Sequence, residues 1–71
     1  MRIILTDHVR LRMRQRGVSI SSIRLALNKP FLHKLSYPPA EIVQVIDSKG
    51  TLEVVFKRSG RSVVVITAYY L

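Results

Sequence analysis

His8 and Arg12 stand four residues apart, and Arg16 follows four further on, in a stretch free of proline and glycine. That spacing recurs about once per helical turn, so the three side chains would form one line down a helix. An imidazole titrates near neutral pH and can take or give a proton. A guanidinium offers a fork of donors that fits phosphate. Together they suit a phosphodiester handled without metal. Cleaving RNA through its own 2′-hydroxyl needs a group to take that proton, a cation to hold the charge developing on phosphate, and an acid for the leaving oxygen. His8 fits the first role or the last, and Arg12 and Arg16 fit the second. Lys57, Arg58 and Arg61 add positive charge from a later part of the chain. Tyr69 and Tyr70 alternate in facing, so one of them can reach a cleft to stack on a base or donate a proton.

Other chemistries lack their residues. The acidic side chains are Asp7, Glu41, Asp47 and Glu53, and none has the spacing of a carboxylate metal site. His8 and His33 alone do not make a zinc site, and there is no cysteine to join them. No GxSxG and no phosphate-cradling glycine loop occurs. Neither metal nor cofactor is expected. Each candidate also has a plainer reading: Lys57, Arg58 and Arg61 flank a turn and can simply be solvated, a tyrosine at that position is often a rim aromatic, and His33 beside prolines has no evident role.

The charge points to a partner. Twelve Lys and Arg against four Asp and Glu give a net charge of +8, and eight of the twelve cations are arginine. A polyanion follows: nucleic acid first, an acidic protein second, an anionic membrane third. Seventy-one residues make one domain near the lower limit for a self-sufficient core, and a 48% apolar content is enough to pack one. The absence of cysteine fits a reducing compartment. With no apolar run long enough to span a membrane and no signal-peptide stretch, the expected location is the cytoplasm.

The elements that must position these groups can be read in order. Arg2–Leu5 is a short branched apolar run and predicts a brief strand. Thr6 is a good helix cap and Gly17 a helix stop, so the ten residues between them predict the first helix. On that helix Val9 and Met13 share a face. If Leu11 also turns inward, His8 and Arg12 fall inside the buried arc and need partners. If only Val9 and Met13 pack, then His8, Arg12 and Arg16 form a solvated flank, with Arg10 and Arg14 pointing the opposite way. Ser19 starts a second helix whose Ile20, Ile23 and Leu27 recur at helical spacing up to Asn28-Lys29-Pro30. It is expected to cover a sheet.

Phe31–Tyr37 predicts an edge strand or a loop, because Pro38-Pro39 interrupts it. Glu41–Asp47, Thr51–Arg58 and Arg61–Tyr70, joined by Ser48-Lys49-Gly50 and Ser59-Gly60, predict an antiparallel meander. Val63-Val64-Val65-Ile66 is apolar on both faces, which predicts a central last strand covered on both sides. The fold class is α+β: a short N-terminal strand, two helices, then a three- to four-stranded antiparallel sheet, all in one domain over residues 1–71. Helices on one face leave the other for a partner or substrate.

The run Thr6, His8, Arg12, Met13, Arg16, Gly17, Val18, Ser19 resembles the opening T-x-H-A-x-x-R-M-x-x-R-G-I-S helix of a small RelE-like group, in which a second helix ends in N-P. The close, Val63–Tyr69, is similar to that group's V-V-x-V-I-T-V-Y strand. The likeness covers most of the chain, is specific at both ends and is weak between Phe31 and Ile46. It implies the RelE/ParE-type fold of toxins from toxin–antitoxin pairs, many of them metal-independent ribonucleases, some acting on ribosome-bound messenger, with other branches poisoning gyrase. Carried over, it implies functional roles for His8, Arg12, Arg16, Thr67 and Tyr69. Val9 departs from the group's alanine, and Pro38-Pro39 stands where relatives carry a glycine and a basic residue. The expectation is therefore a small basic ribonuclease held inactive by an acidic antitoxin. His8 would be the acid–base group and Arg12, Arg16 and Arg58 the phosphate holders, with Lys57, Arg61 and Thr67 adding RNA contacts and Tyr69 stacking or donating a proton. The alternatives are a non-catalytic nucleic-acid-binding module on the same surface, and a partner-binding domain built on an exposed β-edge.

Overall fold

The computed structural model describes all 71 residues. Strand β1 (Arg2–Leu5) leads into helix α1 (Asp7–Arg16), and each end of α1 is closed by the residue the sequence singles out. Thr6 Oγ1 accepts the Val9 N–H at 3.2 Å, satisfying an amide that a helix start leaves unpaired. Gly17 adopts φ +66°, a left-handed conformation strained for any residue with a Cβ. The Val18 N–H then reaches back to the Met13 carbonyl at 2.9 Å, which turns Val18 into the core. Lys49 Nζ donates to the Gly17 carbonyl at 2.7 Å and ties this corner to the far turn of the sheet. Helix α2 (Ile20–Asn28) starts at Ser19, whose Oγ accepts the Ser22 N–H at 3.1 Å.

Four strands follow: β2 (Leu32–Leu35), β3 (Ala40–Asp47), β4 (Gly50–Ser59) and β5 (Ser62–Tyr70). The sheet order is β1-β5-β4-β3-β2. Strands β2 to β5 form an antiparallel meander, as the short turns predict. The N-terminal strand changes the expected sheet: β1 lies parallel to β5, Arg2 beside Ser62 through Leu5 beside Val65, which makes five strands and a mixed sheet. It packs Ile3 and Leu5 against the core and covers the first half of the β5 edge. Strand β2 is a four-residue edge strand exposed throughout, as the proline pair after it suggests.

Both helices pack on one face, α1 against β5 and α2 against β3 and β4. Helix α1 buries only Val9 and Met13; Leu11 is 46% exposed, so His8 and Arg12 lie outside the buried arc. In α2 the buried residues are Ile23 and Ala26, whereas Ile20, expected inside, is 40% exposed. Across from them Val43, Val45, Leu52, Val54, Phe56, Val63, Val65 and Ala68 complete the core. Strand β5 is interior to the sheet but is not covered on both faces: Val63 and Val65 are buried, Val64 is half-buried and Ile66 exposed. No helix is long and apolar enough to cross a membrane.

One irregularity decides which side chains reach the open face. The β4–β5 register passes from Val55 opposite Thr67 to Phe56 opposite Val65, leaving Ile66 without a counterpart. A bulge of this kind reverses the alternation beyond it. Val63, Val65, Ala68 and Tyr70 thus face the helices, and Tyr69 faces the uncovered side.

Candidate functional site

The site is built where α1 passes the bare half of β5. Beyond Leu5 no strand lies beside β5, so the carbonyls of that edge need other donors. Arg16 supplies one: its Nη1 donates to the Ala68 carbonyl at 3.1 Å and to Thr67 Oγ1 at 3.3 Å. The helix side bearing Arg16 also carries Arg12 and His8, one and two turns back, about 5 Å apart per turn. Both are exposed. Arg12 Nη1 donates to Gln15 Oε1 at 3.3 Å, a contact within the helix, and the His8 ring makes no hydrogen bond with the protein. The line therefore ends on the sheet and stays open to solvent.

Next to that end stands a polar cluster on the uncovered face. The Tyr69 hydroxyl donates to the Glu53 carboxylate, and Gln44 Nε2 donates to the other Glu53 oxygen at 2.7 Å. Glu53 is only 8% exposed. The Tyr69 hydrogen bond, then that from Gln44 and the charge of Lys34, hold its carboxyl below the usual carboxylate range, although burial works against them. The same bond to Glu53, with burial and the Glu53 charge, pushes the Tyr69 hydroxyl up, and Arg16 offsets this in part. Tyr69 is accordingly a neutral, fixed phenol whose proton is committed to Glu53. Its ring is the part left for a ligand.

The structure thus brings Arg16 onto Thr67 beside Tyr69, while Arg12 and His8 follow on the same side of α1, about 6 and 12 Å further back along its axis. Lys57, Arg58 and Arg61 lie elsewhere. Lys57 is four residues along β4 from Glu53, about 13 Å away, and Arg61 sits still further off in the hairpin turn. Arg58 is engaged: its Nε donates to Glu41 Oε2 at 2.7 Å, and its guanidinium lies 5.6 Å from the centre of the Phe56 ring. His33 joins the same carboxylate at 2.8 Å, which gives this histidine a structural place on the β2 margin. The Arg58 hydrogen bond and then His33 lower the Glu41 carboxyl. Tyr70, the other tyrosine, donates to Asp47 on the helix side, where Ser22 Oγ also donates at 2.8 Å.

Glu53 and Gln44 were not legible as site residues, yet one signal existed. An acidic residue interrupts the apolar run Leu52–Phe56, and on a strand it must face away from Leu52 and Val54. No three His, Asp or Glu side chains gather in one place. Among all Lys and Arg side chains only Arg58 forms an ion pair, so no other cation is neutralised by a carboxylate of the protein.

A family model described as a domain of unknown function, DUF4258, matches residues 5–70. The chain belongs to the DUF4258 family. The match begins one residue before the capping Thr6 and ends at Tyr70, so it takes in both helices and every site residue named above. No curated protein and no solved structure matches the chain.

Proposed function

We propose that this DUF4258 domain is a small basic toxin-like ribonuclease of RelE-like fold, cleaving RNA without metal and restrained by an acidic partner protein. The observation that carries this reading is the line His8–Arg12–Arg16, which ends on Thr67 beside the fixed ring of Tyr69. The order strand, helix, helix, antiparallel meander supports the fold assignment.

A single strand of RNA laid along the bare β5 edge would set a phosphate between Arg12 and Arg16. Its flanking base would stack on Tyr69. His8 takes the 2′-hydroxyl proton, the 2′-oxygen attacks phosphorus, and the bond to the 5′-oxygen breaks. The products are a 2′,3′-cyclic phosphate and a 5′-hydroxyl, the latter taking its proton from water at this open surface. The arginines oppose the charge that builds on the equatorial oxygens. Tyr69 serves by stacking, since its raised pKa makes it a poor acid.

The test is incubation of the purified protein with an end-labelled RNA in the presence of a metal chelator. Cyclic-phosphate termini that disappear with His8→Ala support the reading. RNA left intact while binding persists favours a second one, a non-catalytic RNA-binding module, to which the unoriented His8 ring lends some weight. Induced expression in a bacterium, with growth and RNA integrity followed together, separates the two in cells.

A further inference from the structure

Helix α1 carries a second pair of arginines on its other flank. Arg10 and Arg14 lie about 160° round the helix from the line of His8, Arg12 and Arg16. Rather than projecting into free solvent, they rim a surface groove of about 580 Å³. Its apolar lining comes from Ile3, Leu5, Met13 and Val18, and Arg24 of α2 stands on the opposite rim. The surface continues along α2 through a shallower depression that shares Arg24 and adds Leu25 and Lys29. Ile20 and Leu25 are 40% and 42% exposed on this side, although both sit in a helix of a folded core.

We infer that this groove docks an acidic amphipathic helix of a partner protein, on the side of α1 away from the RNA line. Charge selects the occupant. None of Arg10, Arg14 and Arg24 has an acidic partner in the protein. Glu41, Asp47 and Glu53 are each already bonded elsewhere, and Asp7, at the start of the same flank of α1, forms no ion pair with these arginines. A helix bearing leucines at i, i+3 or i+4, and i+7 would fill the floor, with Asp and Glu flanking them to meet the arginines. RNA fits poorly, because the lining is aliphatic and offers no aromatic ring for a base. A second copy of this chain would bring its own surplus positive charge. A flat bilayer would not reach the recessed Met13 and Val18.

The inference rests on the proposed function for its partner alone. It places that partner on the flank of α1 opposite His8, so the restraint it exerts acts through α1 and not by covering the RNA line.

The test uses the full chain and a labelled synthetic peptide of about 15 residues, long enough to form a helix, with leucines at the spacing above and glutamates flanking them. The control is a scrambled peptide of the same composition. Fluorescence anisotropy should show tighter binding of the patterned peptide. The double change Arg14→Glu, Arg24→Glu should weaken it about tenfold or more, because attraction becomes repulsion. Ile20→Ser should weaken it by a smaller factor, and Arg12→Glu should leave it in place while lowering affinity for an oligouridine. Thermal unfolding confirms that each variant is folded. Equal binding of the scrambled peptide, indifference to the double reversal, or displacement of the peptide by oligouridine or by phosphatidylglycerol vesicles overturns the inference. The peptide assay contains no RNA and the cleavage assay no peptide, so either reading can fail without the other.

Discussion

Tyr69 donates its hydroxyl proton to Glu53 across neighbouring strands, and together they place a buried carboxylate on a sheet face that no helix covers. Such a group is held by its hydrogen bonds, since a buried carboxylate without them is costly. Tyr69→Phe should therefore cost about 1.5–3 kcal/mol, the range for losing a hydrogen bond to a charged group. In a domain of this size that lowers the melting temperature by about 4–8 °C per kcal/mol. Full stability in Tyr69→Phe would show that the pair is solvated.

The same pair sets a dependence on pH. The folded-state pKa of Glu53 is lowered, so its contribution is complete above the unfolded value of about 4.3 and is lost as pH falls through the folded value. That of Tyr69 is raised, so its contribution is complete below about 10 and is lost as pH rises through the folded value. Melting temperature against pH should fall at both ends. Tyr69→Phe should shrink the alkaline fall but not abolish it, because burial and the bond to Asp47 raise Tyr70 as well. An unchanged alkaline limb would remove Tyr69 from this account.

Gly17 is the second place where one residue controls the site. Its positive φ ends α1 where Arg16 can turn onto β5. A Cβ there would also come within 2.7 Å of Lys49 Nζ, the end of a flexible side chain that can shift. Gly17→Ala should cost about 1 kcal/mol for the left-handed backbone. Chemical denaturation should show a lower midpoint at unchanged slope. A stabilised variant would contradict the observed turn.

Much of the frame was legible because its signals are local. Thr6, Gly17 and Ser19 bound the helices through their own caps, and the turns after Asp47 and Ser59 dictate a meander. The remainder depends on what the chain meets at long range. Leu11 and Ile20 have apolar side chains and plausible spacing, yet they turn away from the face on which Val9, Met13, Ile23 and Ala26 are buried. The parallel pairing of β1 with β5 leaves no pattern in either segment. The choice between Tyr69 and Tyr70 turns on the bulge at Ile66, and a run of valines and isoleucines carries no glycine to mark it. Lys57, Arg58 and Arg61 suggest a cluster by composition alone. Geometry separates them from Tyr69 and gives Arg58 to Glu41.

That separation has a consequence for binding. If phosphates are held by Arg12 and Arg16, the affinity of a short oligouridine should fall with salt, by about 0.7 log units per log unit for each phosphate contacted. Arg16→Ala should reduce that slope by about one contact. Arg61→Ala should leave a short oligonucleotide unaffected and weaken only a longer one able to reach the hairpin turn. Affinity that barely responds to salt would argue against any nucleic-acid role.

The final prediction distinguishes chemistry from binding at adjacent turns of α1. His8 and Arg12 are both exposed and neither packs into the core, so replacing either by Ala should change stability by less than about 0.5 kcal/mol. Their kinetic effects should differ. His8→Ala removes the proton acceptor, which typically contributes about 10²–10⁴-fold, while nearly all the charge that attracts RNA remains. Arg12→Ala removes a phosphate contact and should lower affinity and rate together. Single-turnover cleavage and RNA affinity, measured on the same preparations, resolve the two. If His8→Ala cleaves as fast as the parent, the proton must go elsewhere. Tyr69 cannot readily take that role, because its hydroxyl is raised and bound to Glu53. The RNA line of α1 would then be a binding surface alone.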